Sequence, residues 1–171
     1  SKAFAIGGNL NKLLSNTTNL GKDNKNAFAY LFRNNVNLKN IDELILPSTS
    51  LSESCYESLF DGCTSLINVP EGLLPATNLA KRCYFSMFRN CKGLKNVPRL
   101  RSKFLADFCY EDMFDSCDGL EEVPEDLLLS KNLCKGCYAG MFSECINLKK
   151  APKLDTLKLA ESCYNSMFEG C

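Results

Sequence analysis

The chain has no histidine, so the side chain most used as a general base near neutral pH is missing. It has no excess of charge: 20 Lys and Arg face 20 Asp and Glu, which leaves no electrostatic footprint for nucleic acid or an anionic membrane. No apolar run approaches the roughly 18 residues of a membrane span. No signal-peptide pattern is present, and because Ser1 is an unusual start, removal of a leader is the expectation. No glycine-rich phosphate loop and no nucleophile–base pair is visible, and the acidic residues are scattered. These absences argue against an enzyme and imply no cofactor.

What the chain has is a core-forming 45% of hydrophobic residues and eleven cysteines, ten of them on a grid. The segment Cys83-Tyr84-Phe85-Ser86-Met87-Phe88-Arg89-Asn90-Cys91 returns as Cys55-Tyr56…Phe60…Cys63, Cys109-Tyr110…Phe114…Cys117, Cys137-Tyr138…Phe142…Cys145 and Cys163-Tyr164…Phe168…Cys171. Ala27-Phe28…Phe32…Asn35 fills the same pattern with both cysteines replaced. Self-match at a fixed period marks a repeat architecture. The first position runs 27, 55, 83, 109, 137, 163, in steps of 28, 28, 26, 28 and 26. The two extra residues fall at one place: Val69-Pro70-Glu71-Gly72-Leu73 and Val123-Pro124-Glu125-Asp126-Leu127 against Val97-Pro98-Arg99-Leu100 and Ala151-Pro152-Lys153-Leu154. An insertion confined to one point maps to a loop on one face.

Each unit reads as two elements. The first is a short strand such as 94–97, ended by a proline that cannot donate to a ladder. The second spans residues such as 79–89, where apolar residues at i, i+4, i+5, i+8 and i+9 predict one face of an α-helix. Gly62, Asn90, Gly170 and Asn34 follow it, where a left-handed residue is expected, while Ser116 and Glu144 hold that slot in the other two units and make the cap non-uniform. One unit cannot bury its apolar face, but stacked units can. Strands stack about 4.8 Å apart and helices about 8–10 Å, which would put the strand side on an inner curve. The fold expected is therefore an α/β repeat solenoid: a leucine-rich-repeat-like, right-handed coil with short parallel strands inside and short helices outside. Residues 1–171 form a single array. Repeats begin at about 27, 55, 83, 109 and 137, and 163–171 is a truncated repeat. Phe4, Gly7, Leu10 and Leu13 sit 28 residues before Phe32, Asn35, Leu38 and Ile41, so 1–26 reads as a partial or degenerate coil, with 14–26 as its polar loop.

The frame Leu-x-x-Val-Pro…Leu-Pro-Ala-Thr-x-Leu-Ala…Cys-Tyr-x-x-Met-Phe-x-x-Cys resembles the BspA-like, or Treponema-type, leucine-rich repeats. Leu74-Pro75-Ala76-Thr77-Asn78-Leu79-Ala80 carries the resemblance most directly, with Leu46-Pro47-Ser48-Thr49-Ser50-Leu51 beside it. It covers about 27–171 and, more weakly, 4–13. The missing cysteines at Ala27 and Asn35 and the polar stretch 14–26 are departures from the pattern. The resemblance implies an extracellular or cell-surface bacterial protein, used in adhesion or host contact. It is specific for scaffold and poorly specific for ligand.

The variable pairs inside the short strand are the candidate binding face: Lys39-Asn40, Ile67-Asn68, Lys95-Asn96, Glu121-Glu122 and Lys149-Lys150. The frame repeats around them and they do not, and such coils use their concave surface for recognition. The partner expected is a protein or glycan on a host or neighbouring cell, not nucleic acid. A spacer that carries another domain is the alternative, and end-to-end self-association of the array is a further expectation. For the cysteine pairs two readings stand, a buried ladder of thiols or a disulfide within each unit. Most are expected to be reduced and buried, since residues eight apart on a helix lie about 12 Å apart and a disulfide needs about 7 Å. Cys134-Lys135-Gly136-Cys137 spells C-x-x-C, but Cys134 holds a slot that is Ser52, Ala80, Ala106 and Ala160 elsewhere, so a small buried side chain is expected. The tyrosine row reads as core, and Asn16-Thr17-Thr18 as an idle glycosylation triplet.

Overall fold

Residues 79–89 do not form a helix in the computed structural model, which describes residues 2–14 and 19–171, and no α-helix occurs among those residues. Ser1 and the triplet Asn16-Thr17-Thr18 lie outside them. The segment is a ribbon of overlapping turns. Arg82, Ser86 and Asn90 have φ of 55°, 51° and 56°, whereas every residue of an α-helix sits near −63°. Cys83, Phe85, Met87, Arg89 and Cys91 donate their N–H to the carbonyl three residues back. The residues between them, from Arg82 to Asn90, donate instead to Asp107, Cys109, Glu111, Met113 and Asp115 of the next unit, at 2.8–3.1 Å. A left-handed residue at the third position of a four-residue turn is the type II geometry. The expected left-handed slot is occupied in all six units, at Asn34, Gly62, Asn90, Ser116, Glu144 and Gly170.

The apolar pairs explain the ribbon. They recur every four residues, a period that both a helix and this ribbon satisfy. The ribbon wins because half its donors cross to the neighbour, which brings units closer than packed helices can come. Tyr56, Tyr84, Tyr110, Tyr138 and Tyr164 stack face to face at 5.7–5.9 Å, continuing Phe28. A second row runs Phe32, Phe60, Phe88, Phe114, Phe142 and Phe168 at 5.4–5.8 Å. Offset parallel rings are a favoured arrangement. Tyr56, Tyr84, Tyr110 and Tyr138 are no more than 2% exposed, so this row is core. With no helix on that side, the spacing difference expected to curve the array loses its basis.

Strands are few. β1 (Phe4–Ala5) pairs in parallel with β3 (Leu38–Asn40), and β2 (Gly8–Asn9) with β4 (Leu44–Ile45). Phe4 therefore faces Leu38, not Phe32, and the 28-residue alignment of the N-terminal segment is corrected to offsets that grow from 34 at Phe4 to 36 at Gly8 and Asn9. The polar stretch after it is no free loop where it is described: Leu20 is 1% exposed and its N–H reaches the Ser50 carbonyl. Residues 94–97 carry no strand. Val123 donates to the Lys150 carbonyl, but Val69 donates to the side chain of Asn96, whose Nδ2 returns a bond to the Val69 carbonyl at 2.9 Å. The Asn96 amide thus replaces a ladder rung.

Candidate binding surface

The ten expected residues all line grooves on the surface, and all but Asn96 are exposed. Leu38, Leu66, Leu94 and Leu120 anchor their backbone from inside at 0% exposure. Close approach is fixed by Gly119, where a Cβ would meet the Leu94 carbonyl at 2.4 Å. Three shallow grooves open between the pairs. One of about 410 Å³ is bounded by Phe4, Lys39, Asn40, Asp42, Ile67 and Asn68. A second, of about 430 Å³, lies among Lys95, Gly119, Glu121, Glu122 and Lys149. The third, of about 370 Å³, is shared by Lys95, Asn96, Glu122, Pro124, Glu125 and Lys150.

Charge on this face is partly settled between units. Lys149 bonds Glu121 at 2.7 Å, which holds the glutamate below and the lysine above its ordinary pKa. Lys150 and Lys153 both reach Glu125, at 3.1 and 2.8 Å. Exposed pairs of this kind contribute little to stability and break readily for a ligand. Lys39, Lys95 and Glu122 have no ion pair among the described residues. Asn96 is committed to Val69 and does not serve as a free contact.

The buried cysteines offer no reactive chemistry. All eleven are free and nine are buried. Desolvation pushes Cys55, Cys63, Cys137 and Cys145 up to about 12, so they stay protonated at neutral pH and are neither nucleophiles nor ready ligands. Cys134 is half-buried, not buried as its slot suggested, and its thiol donates to the Leu105 carbonyl at 3.2 Å, as the Ser52 hydroxyl does to Asn24 at 2.7 Å, a bond that the alanines elsewhere in the slot cannot make.

Two features escaped the sequence reading. A second outward row runs Ser50, Asn78, Phe104, Asn132 and Lys158, joined by parallel bridges from Ser50 to Asn78 to Phe104 and from Asn132 to Lys158. Phe104 on it is 80% exposed. The signal was available, since these residues also vary within a repeated frame. The other is a groove of about 480 Å³ beside Arg99 and Arg101, adjoining the third groove at Asn96, Val97 and Pro124.

Comparisons with protein-family models, with curated proteins and with solved structures find no match to this chain. Among the described residues no helix is long and apolar enough to cross a membrane.

Proposed function

We propose that this chain is a non-catalytic binding module that holds a protein or glycan of a host or neighbouring cell along the row 39–40, 67–68, 95–96, 121–122 and 149–150. In this reading the stacked units wind as a right-handed, leucine-rich-repeat-like solenoid of the BspA-like kind, at the cell surface or outside the cell. The observation that carries it is the set of three grooves lined by residues that differ from unit to unit. An invariant frame that presents varied side chains beside concavities is what extended recognition needs. The buried, protonated thiols support a scaffold without catalysis. A spacer is the second reading, favoured by the unbroken ring rows and inter-unit hydrogen bonds, which stiffen the array.

Beads coated with the protein, laid on epithelial monolayers and on bacterial lawns, separate the two. The module reading expects adherence that falls sharply when Lys95, Glu122 and Lys149 are replaced together by Ser, with the melting temperature unchanged. Beads that do not adhere, or that adhere equally after the replacements, leave the spacer.

A further inference from the structure

The alternation of 28- and 26-residue steps has a physical consequence. The unit starting at Cys83 lacks the two residues that its neighbours carry after the Val-Pro pair. In those neighbours the extra residues close a turn, with Leu73 N–H on the Pro70 carbonyl and Leu127 N–H on the Pro124 carbonyl, each at 3.1 Å. The short unit makes no such turn and is recessed between two longer ones. The groove of about 480 Å³ is that recess: Glu71 stands on one wall, 96–101 form the floor, and Asp126, Leu127 and Leu129 form the other wall.

Its chemistry is divided. Val97 and Leu100 give a floor that is 4–8% exposed, and Leu129, 37% exposed, offers an apolar flank. Arg99 spans the mouth, bonding Glu71 through Nε and facing Asp126 at 3.8 Å, so the acids of both walls are tied to one guanidinium. Arg101 also lines the groove, is exposed, and has no acidic partner among the described residues. Its backbone N–H donates to none of them either. One residue therefore presents an unpaired fork of charged donors and a free amide beside an apolar floor. A planar guanidinium binds carboxylate in bidentate fashion, and an extended backbone pairs with an open N–H.

We propose that this recess binds an extended peptide segment in which an aliphatic side chain lies next to a carboxylate: the aliphatic group on Val97 and Leu100, the carboxylate on Arg101. The proposal rests on the reading of the chain as a binding module and names the partner class for one part of its surface. The recess exists only where a short unit lies between two long ones, so the loop pattern itself sets the place of the site.

The test uses an array of short peptides carrying every pairing of two amino acids in a Gly-Ser frame, probed with the labelled full chain. Signal is expected to concentrate on pairs of Leu, Ile or Val with Asp or Glu, and to vanish for the Asn and Gln counterparts. For the strongest peptide, measured by fluorescence anisotropy, Arg101→Ala should weaken binding roughly 10- to 100-fold, the worth of a charged hydrogen bond. Arg101→Lys should restore part of it, since a point charge lacks the fork. Inserting Glu-Gly after Pro98 copies the neighbours' loop and should abolish binding by filling the recess, without touching Arg101. No preference for acidic pairs, or wild-type affinity in both Arg101→Ala and the insertion variant, overturns the proposal. Coated beads that adhere while no acidic pair binds would sink this inference and leave the module reading standing.

Discussion

The thiol of Cys91 donates to the carbonyl of Phe60 in the preceding unit, 3.2 Å away. The same carbonyl also accepts the Cys63 N–H at 3.0 Å, so both its lone pairs are used. Cys63, Cys117, Cys145 and Cys171 repeat the thiol bond onto Phe32, Phe88, Phe114 and Phe142 at 3.0–3.1 Å. The second cysteine of each unit is a donor that ties neighbouring units, which gives it a structural reason to be reduced. Titration of denatured, never-reduced protein should find all eleven thiols. In the native protein at pH 8 only Cys171, which is exposed, and Cys134, which is half-buried, should react, and both more slowly than a free thiol because partial burial raises them. A denatured count near one would mean five disulfides and would remove the thiol ladder.

The protonated interior also sets an alkaline limit. Burial raises Cys55, Cys63, Cys137 and Cys145 to about 12, and holds the Tyr84 and Tyr110 phenols well above their ordinary value. Above about pH 8.5 the unfolded chain releases thiol protons that the folded chain keeps. The unfolded state then binds fewer protons, so stability is whole below that pH and is lost as pH rises toward 12. The exposed Lys135, Lys149 and Lys153, raised by their Glu partners, act weakly in the same sense. Urea midpoints at pH 7, 9 and 10.5 should fall in that order with an unchanged slope. A midpoint that holds or rises at pH 10.5 would contradict the burial of these groups.

Much of this was legible in the chain. The buried Tyr and Phe rows and the left-handed residues at Asn34, Gly62, Asn90 and Gly170 followed from the repeated motif. What misled was the period. Apolar residues at i, i+4, i+5, i+8 and i+9 fit one face of a helix as well as they fit the ribbon. The discriminating sign was in the other residues: Ser54, Ser58 and Gly62, or Arg82, Ser86 and Asn90, recur every four positions and take positive φ. A helix needs such a residue once, at its end. The role of Asn96 could not be read from spacing, because Lys150 in the same slot bonds through its backbone. The groove at Arg99 and Arg101 was implicit in the loop lengths, but only the stacked structure shows that a short loop between long ones leaves a recess.

Stacking also ranks the core positions. Phe114 is 0% exposed and lies between Phe88 and Phe142, at 5.7 and 5.6 Å. Phe168 is half-buried and stacks on Phe142 at 5.8 Å, with no second ring among the described residues. Phe114→Ala should cost roughly 3–5 kcal/mol, the usual penalty for a buried aromatic. Phe168→Ala should cost about half, since less of its surface leaves water on folding. Equal losses in chemical denaturation of this chain as a dilute monomer would show that the unit at 163–171 is covered by something more than Phe142.

The sharpest test of the turn ribbon is a substitution whose sign depends on it. Ser86 has φ 51°, is 1% exposed, and its hydroxyl has no hydrogen-bond partner. Gly140 holds the equivalent slot in another unit, with φ 58°. Ser86→Gly relieves a left-handed strain of roughly 1–2 kcal/mol and removes an unsatisfied buried hydroxyl. Against this stand glycine's extra chain entropy, roughly 0.5–1 kcal/mol, and a small void. The net expectation is stabilisation by about 1 kcal/mol. In an α-helix the same change would destabilise by a few tenths of a kcal/mol or more, since glycine is the poorer helix former. The reverse change, Gly140→Ala, should destabilise, because a Cβ is strained in that left-handed backbone and would displace the Asp112 carboxylate. Paired urea melts read both signs. A destabilised Ser86→Gly with a tolerated Gly140→Ala would argue for a helix through these residues and against the alternating turns.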